Sequence, residues 1–172
     1  MSGRFKDQVA LITGASSGIG AAVARVLAAE GARVALAARR KERLAEVCAA
    51  IEAGGGEALA LACDVTDRAS VDDAVATTVE QWGGIDVLFA NAGFGVTGVA
   101  TELDTGDYRR QFETNVFGLR ETVHATLPHL VARNGRLGLV GSVSGRVGTP
   151  ASGPYCASKF AVAGLAECLY YD

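Results

Sequence analysis

A chain of 172 residues, 49% hydrophobic and 20% charged, is long enough for one domain with a real core and too apolar to be disordered. Its formal net charge of −3, without any block of Lys or Arg, argues against nucleic acid as a partner. No run reaches the roughly 18 uninterrupted apolar residues of a membrane span, and Met1 to Gln8 lacks the apolar stretch of a secretory leader, so the chain reads as cytoplasmic.

Strand and helix patterns alternate along the whole chain. Val9-Ala10-Leu11-Ile12 is a short apolar run of the kind a buried parallel strand needs. A glycine-rich turn follows, then Ile19, Val23, Val26 and Leu27 at helical spacing, closed by Gly31. Val34 to Ala38 predicts the second strand. Leu44, Val47, Cys48 and Ile51 predict the second helix, ended by Gly54-Gly55-Gly56. Ala58 to Cys63 is the third strand. Val71, Val75, Val79 and Trp82 mark the third helix, stopped by Gly83-Gly84. Ile85 to Ala90 is the fourth strand, and one long helix is expected from about Asp104 to Arg133. Leu137 to Gly141 is the fifth strand, and a final helix starts near Pro154. Such alternation predicts right-handed βαβ units and a doubly wound α/β domain, Rossmann-like, with helices on both faces of a parallel sheet.

Four cysteines, Cys48, Cys63, Cys156 and Cys168, form no CxxC pair, and neither His124 nor His129 lies near one in sequence. All four read as buried, reduced thiols and no metal site is expected. Cys156 stands apart because it adjoins Tyr155.

The turn Thr13-Gly14-Ala15-Ser16-Ser17-Gly18-Ile19-Gly20 lies between the first strand and the first helix. Glycines there let the backbone approach a pyrophosphate, while the helix offers unpaired N–H groups and a positive dipole end. Its spacing is GxxxGxG, not GxGxxG. The second strand ends in Ala38-Arg39-Arg40. An acidic residue there would hold the ribose hydroxyls of NAD, whereas arginine pairs with a 2′-phosphate. NADP(H) is therefore the expected cofactor, with NAD(H) possible.

Tyr155 and Lys159 are four residues apart on a predicted helix, which puts both on one face. A phenol becomes a useful base near neutrality only if its phenolate is stabilised, and a nearby ammonium does that. Ser142 ends the fifth strand, where ligands bind in such sheets.

Taken together, Thr13 to Gly20, Asn91-Ala92-Gly93, Ser142 and Tyr155-xxx-Lys159 resemble the short-chain dehydrogenase/reductase family over essentially the whole chain. Tyr155 is 13 residues after Ser142, and Asn115 is 27 before it. The resemblance implies that Tyr155 is the general acid/base, that Lys159 lowers its pKa and holds the nicotinamide ribose, and that Ser142 orients the substrate oxygen. It also implies that Asn115 anchors a water in a proton relay, that Asp64-Val65 contacts the adenine, and that Asn91-Ala92-Gly93 lies beside the cofactor. The expected activity is hydride transfer between NADP(H) and a secondary alcohol or ketone.

Members of that family continue past the Tyr/Lys helix with two more strands, a Pro-Gly turn and a substrate-covering segment. Residues 1–172 are thus expected to be one dinucleotide-binding domain, part of a longer parent that forms a homodimer or homotetramer. The alternative is a non-catalytic NADP(H)-binding sensor or scaffold of the same fold, distinguishable by binding without turnover. A methyltransferase on a similar sheet is disfavoured, because the second strand ends without an acid and the Tyr/Lys pair would have no role.

Overall fold

In β1 (Val9–Thr13) every residue is buried, because the strand shows no face to water. The structure, a computed structural model, describes residues 3–171; Met1 and Ser2, within the expected leaderless start, and Asp172 lie outside it. The chain continues through α1 (Gly18–Ala29), β2 (Arg33–Ala38), α2 (Lys41–Ala53), β3 (Glu57–Ala62), α3 (Arg68–Trp82) and β4 (Val87–Ala90). Next come α4 (Thr105–Phe112), a wide π-helical turn (Glu113–Gly118), α5 (Leu119–Ala132), β5 (Arg136–Leu139) and α6 (Gly153–Tyr171).

The five strands pair in parallel in the order β3-β2-β1-β4-β5. Leu11 of β1 faces Ala35 of β2 on one side and Leu88 of β4 on the other. Alternate residues feed two cores. Val9, Leu11, Ala35 and Leu88 pack with Val71 and Val75 of α3, Val123 of α5 and Val162 of α6. Ala10, Ile12, Val34 and Leu36 pack with Ala24 and Leu27 of α1 and Leu44, Val47 and Ile51 of α2. The result is the expected three-layer, doubly wound sandwich.

Three sequence expectations change. Ile19 and Val26 do not face the sheet; they are 60% and 58% exposed, while Gly20, Ala21, Ala24, Leu27 and Ala28 are buried. Small side chains let α1 lie close to the sheet, and a stripe drawn through the large residues misses that. The long helix runs unbroken from Thr105 to Ala132, but not with α pitch throughout. Its π turn swings Asn115 toward the loop after β4, and Gly118 sits so near β3's exit that a Cβ on it would lie 2.7 Å from Val65 Cγ2. Cys168 is exposed, unlike Cys48, Cys63 and Cys156, because it lies on the outer side of α6.

Since all strands are parallel, their carboxyl ends share one edge. The order reverses between β1 and β4, and a crevice opens there as it does in doubly wound sheets.

Candidate active site

Thr13 ends β1 with its Oγ1 accepting from the N–H groups of Asn91 (3.0 Å) and Ala92 (3.1 Å). Asn91 Nδ2 returns bonds to the Thr13 carbonyl (3.0 Å) and the Gly14 carbonyl (3.3 Å). This staple fixes the exit of β4 against the turn after β1. Gly14 and Gly20 crowd against it: a Cβ on Gly20 would stand 2.7 Å from both Asn91 Nδ2 and the Gly14 oxygen. Gly18 differs. Its φ is +56° and a Cβ there would meet nothing within 4 Å. Ser17 precedes it and makes no side-chain cap bond to the first turn of α1. An open cradle beside uncapped helix N–H groups fits a pyrophosphate.

Arg40 reaches back over this turn, donating from Nη2 to Ser16 Oγ (2.9 Å) and Ser17 Oγ (2.8 Å). Gly14, Ser16, Arg39, Arg40, Asp64 and Val65 line one cavity of about 200 Å³. Partial burial pushes the Asp64 carboxyl up. Bonds from the Thr66 N–H (3.0 Å) and hydroxyl (2.8 Å), with Arg39 nearby, outweigh this and hold it below the ordinary carboxylate value.

A second, larger cavity of about 470 Å³ continues from the first and is lined by Ile19, Asn91, Phe94, Ser144, Tyr155 and Lys159 among others. Tyr155 is half-buried at the start of α6. Lys159 is 7% exposed, with Nζ 5.7 Å from the Tyr155 ring centroid and donating to the Val140 carbonyl at 2.7 Å. Burial pulls its ammonium below the ordinary lysine value. Gly145 lets the loop after β5 pass over this helix, since a Cβ there would be 2.6 Å from the Lys159 carbonyl oxygen.

Asn115 is 1% exposed and fully bonded. Its Oδ1 accepts from the Phe94 N–H (3.1 Å), and its Nδ2 donates to the Phe94 carbonyl (2.9 Å) and to Ser158 Oγ (3.2 Å). Ser158 in turn donates to the Tyr155 carbonyl at 2.7 Å, tying the π turn to the first turn of α6. Ser142 begins the short turn Val143–Gly145 with its Oγ accepting from the Ser144 N–H at 3.1 Å; Ser144, not Ser142, lines the cavity. Gly98 N–H donates to the Ala151 carbonyl at 2.9 Å, which joins the loops after β4 and β5 at the mouth.

The structure thus gathers Gly14, Ser16, Ser17, Arg39, Arg40, Asp64 and Val65 at one end of the crevice, and Ile19, Asn91, Gly93, Tyr155 and Lys159 at the other. Ser144, Ser158 and Gln111 were not foreseen. Ser158 and Gln111 are polar residues on otherwise inward helix faces, which is the one signal the sequence carried. Cys156 Sγ, 7% exposed, accepts from the Thr149 N–H at 3.4 Å and lies 3.3 Å from Thr149 Oγ1; those contacts hold its thiol below the ordinary value. Among the described residues no group of three or more His, Cys, Asp or Glu side chains is placed to hold a metal, and no helix is long and apolar enough to cross a membrane.

A Rossmann-type sheet with a glycine turn at its switch point and a Tyr/Lys pair in the same crevice is the framework of a nicotinamide-dependent oxidoreductase. The chain belongs to the short chain dehydrogenase family, whose pattern matches residues 8–172. It is 37% identical over 166 residues to an uncharacterized oxidoreductase of Listeria monocytogenes, covering 96% of this chain and 67% of the relative. A short chain dehydrogenase/reductase of Burkholderia phymatum, solved in complex with NAD, superposes with a TM-score of 0.94 at 35% identity, over 98% of this chain and 60% of that one. An alcohol dehydrogenase of Thermococcus sibiricus, complexed with 5-hydroxy-NADP, superposes with a TM-score of 0.91 at 33% identity, over 94% and 69%. The chain therefore spans about two thirds of the length of such relatives. It is an oxidoreductase of a family that acts on CH–OH groups with a nicotinamide cofactor.

Proposed function

We propose that this protein interconverts a secondary alcohol and a ketone with NADP(H), using Tyr155 as general acid/base. The observation that carries the reading is Tyr155 and a buried Lys159 lining one cavity beside Asn91, at the carboxyl ends of β4 and β5. The preference for the 2′-phosphorylated cofactor rests on Arg39 and Arg40 at the end of β2, where no acid stands to bind ribose hydroxyls.

When bound, the nicotinamide supplies or accepts the hydride. In the oxidative direction Tyr155 takes the hydroxyl proton while the C–H hydrogen leaves as hydride, and in reduction it returns that proton to the carbonyl oxygen. Lys159 places a cation beside the phenol ring, with Nζ 5.7 Å from its centroid. One of its three donors is held by Val140, which leaves two for a ribose. Ser142 orients the substrate oxygen from the loop after β5. Asn115, by its bonds to Phe94 and Ser158, holds the π turn where a water can link Lys159 to solvent. Asp64-Val65 receives the adenine, and Ser16, Ser17, Gly18 and Gly20 form the phosphate cradle. Residues 1–172 act as a single dinucleotide-binding domain, working in the cytoplasm within a homodimer or homotetramer.

Titration with NADPH and NADH, followed by assays on a panel of secondary alcohols, tests this. Tyr155→Phe is expected to keep NADPH affinity and lose about 10²–10⁴-fold in turnover. Arg40→Ala is expected to weaken NADPH by roughly tenfold or more and NADH far less, as one charge-assisted bond is worth about 1.5–3 kcal/mol. Undiminished turnover in Tyr155→Phe would refute the catalytic reading, and tighter NADH than NADPH binding the cofactor reading.

A further inference from the structure

Gln111 takes no part in the steps above, yet it is 0% exposed, among the most deeply buried large side chains of the fold. Both ends of its amide hold one stretch of backbone. Nε2 donates to the Phe94 carbonyl at 2.6 Å, and Oε1 accepts from the Val96 N–H at 2.6 Å. Only this orientation of the amide satisfies both partners. Four residues on, Asn115 bonds the N–H and carbonyl of Phe94. The two amides grip Phe94 to Val96 along the inner side of α4 and the π turn.

What is gripped matters to the reaction. Phe94, Gly95 and Thr97 line the larger cavity. Gly95 lies between the two Gln111 contacts, and a Cβ built on it would sit 3.5 Å from Tyr155 Cδ2. The clamped backbone is therefore a wall against the Tyr155 ring. An apolar residue at 111 would leave the buried Val96 N–H without its partner, and the segment would have to shift to find another.

We infer that Gln111 is a positioning residue, whose amide fixes the Phe94–Thr97 wall against Tyr155 and so sets how the substrate oxygen meets the phenol. The inference rests on Tyr155 being the acid/base.

The test compares the wild-type protein with Gln111→Met and Gln111→Glu by amide hydrogen exchange, NADPH affinity and alcohol kinetics. In Gln111→Met the Val96 amide is expected to exchange about tenfold faster or more, since each 1.4 kcal/mol lost in opening free energy is a factor of ten. Its kcat/KM is expected to fall about ten- to hundredfold while NADPH affinity holds within about twofold, as small misplacements near a reacting centre do. Gln111→Glu separates alignment from general loosening. An ionised carboxylate keeps the Val96 bond but cannot donate to Phe94; a protonated one does both. Its deficit relative to wild type is expected to shrink as pH falls from about 8 to about 5, burial raising a carboxyl's pKa from about 4.3. Unchanged Val96 exchange together with unchanged kcat/KM in Gln111→Met would overturn the inference, as would a Gln111→Glu deficit constant across pH. Should the wild type turn over no alcohol, the functional reading fails, and the exchange comparison alone decides whether the clamp exists.

Discussion

Lys159 holds a charge in a buried position. The residue is 7% exposed, and among the described residues its ammonium bonds the Val140 carbonyl and no carboxylate. Burial lowers its pKa in the folded chain below that of the unfolded one. Between those two values the unfolded chain binds the extra proton, so stability rises with pH across that alkaline window. Below the window the cost of burying the charge is fully present. Lys159→Met is accordingly expected to resist urea better than wild type at pH 7. Its advantage should close as pH climbs toward the unfolded lysine value of about 10.4. Parallel stability curves for the two proteins at all pH values would show that burial of the ammonium carries no cost. The same variant should lose turnover, which would mark the strain as kept for function. At this scale the sequence brought Tyr155 and Lys159 together, because a spacing of four on one helix needs no tertiary knowledge. It did not reveal Gln111 or Ser158. Gln111's backbone partners lie 15 and 17 positions away, and Ser158's amide partner 43, and only the fold brings these groups together.

At the scale of elements, the turn after β1 shows why glycine is needed at two positions for different reasons. Gly20 is confined by packing, with Asn91 Nδ2 and the Gly14 oxygen both 2.7 Å from where a Cβ would stand. Gly18 is confined by its backbone, at φ +56°, in open space. Gly20→Ala must displace Asn91, and so loosen its bonds to Thr13 and Gly14 that staple β4 to β1. A loss of about 1–3 kcal/mol in denaturant unfolding is expected, the usual penalty of overpacking. NADPH affinity should fall with it. Gly18→Ala should cost about 1–2 kcal/mol from the left-handed backbone alone, and its methyl would enter the cradle. Equal stability of Gly20→Ala and wild type would mean that the staple yields without strain. The turn was legible in the sequence because strand, glycines and helix follow one another directly. The π turn was not. Glu113 to Gly118 has no proline or glycine pair to announce a change of pitch, and its cause is tertiary: Asn115 is drawn to Phe94, and Gly118 packs against Val65. The inward face of α1 was misplaced for a related reason, since alanine rather than valine faces the sheet.

Over the whole molecule, one fact organises the rest. Five parallel strands end on one edge, so the short segments after each of them meet there: the glycine turn, Arg39-Arg40, Asp64-Val65, Asn91 to Gly93, and Val140 to Ser144. Alternation of strand and helix along the sequence was enough to foresee that convergence. The outer surface of α6 is mostly self-sufficient. Val162 is 1% exposed, and Leu165 and Leu169 pack on the chain's own core, so most of that apolar helix needs no partner. Besides Tyr170 and Tyr171 at its end, α6 leaves Phe160 48% exposed, and the π turn that packs against α6 leaves Phe117 53% exposed. Phe117 also borders a surface cavity of about 340 Å³ formed with Tyr108, Arg109, Phe112 and Glu113. Exposed aromatic side chains beside a concave patch are the anchors that protein interfaces favour. If the homo-oligomer proposed above forms here, Phe117→Asp puts a charge where an aromatic ring was to be buried, and light scattering should show the mass dropping to that of one chain. NADPH affinity should be retained, because Phe117 lines neither cavity of the crevice at the strand ends. An unchanged mass would move the interface away from the π turn and leave the exposed ring without an interfacial role.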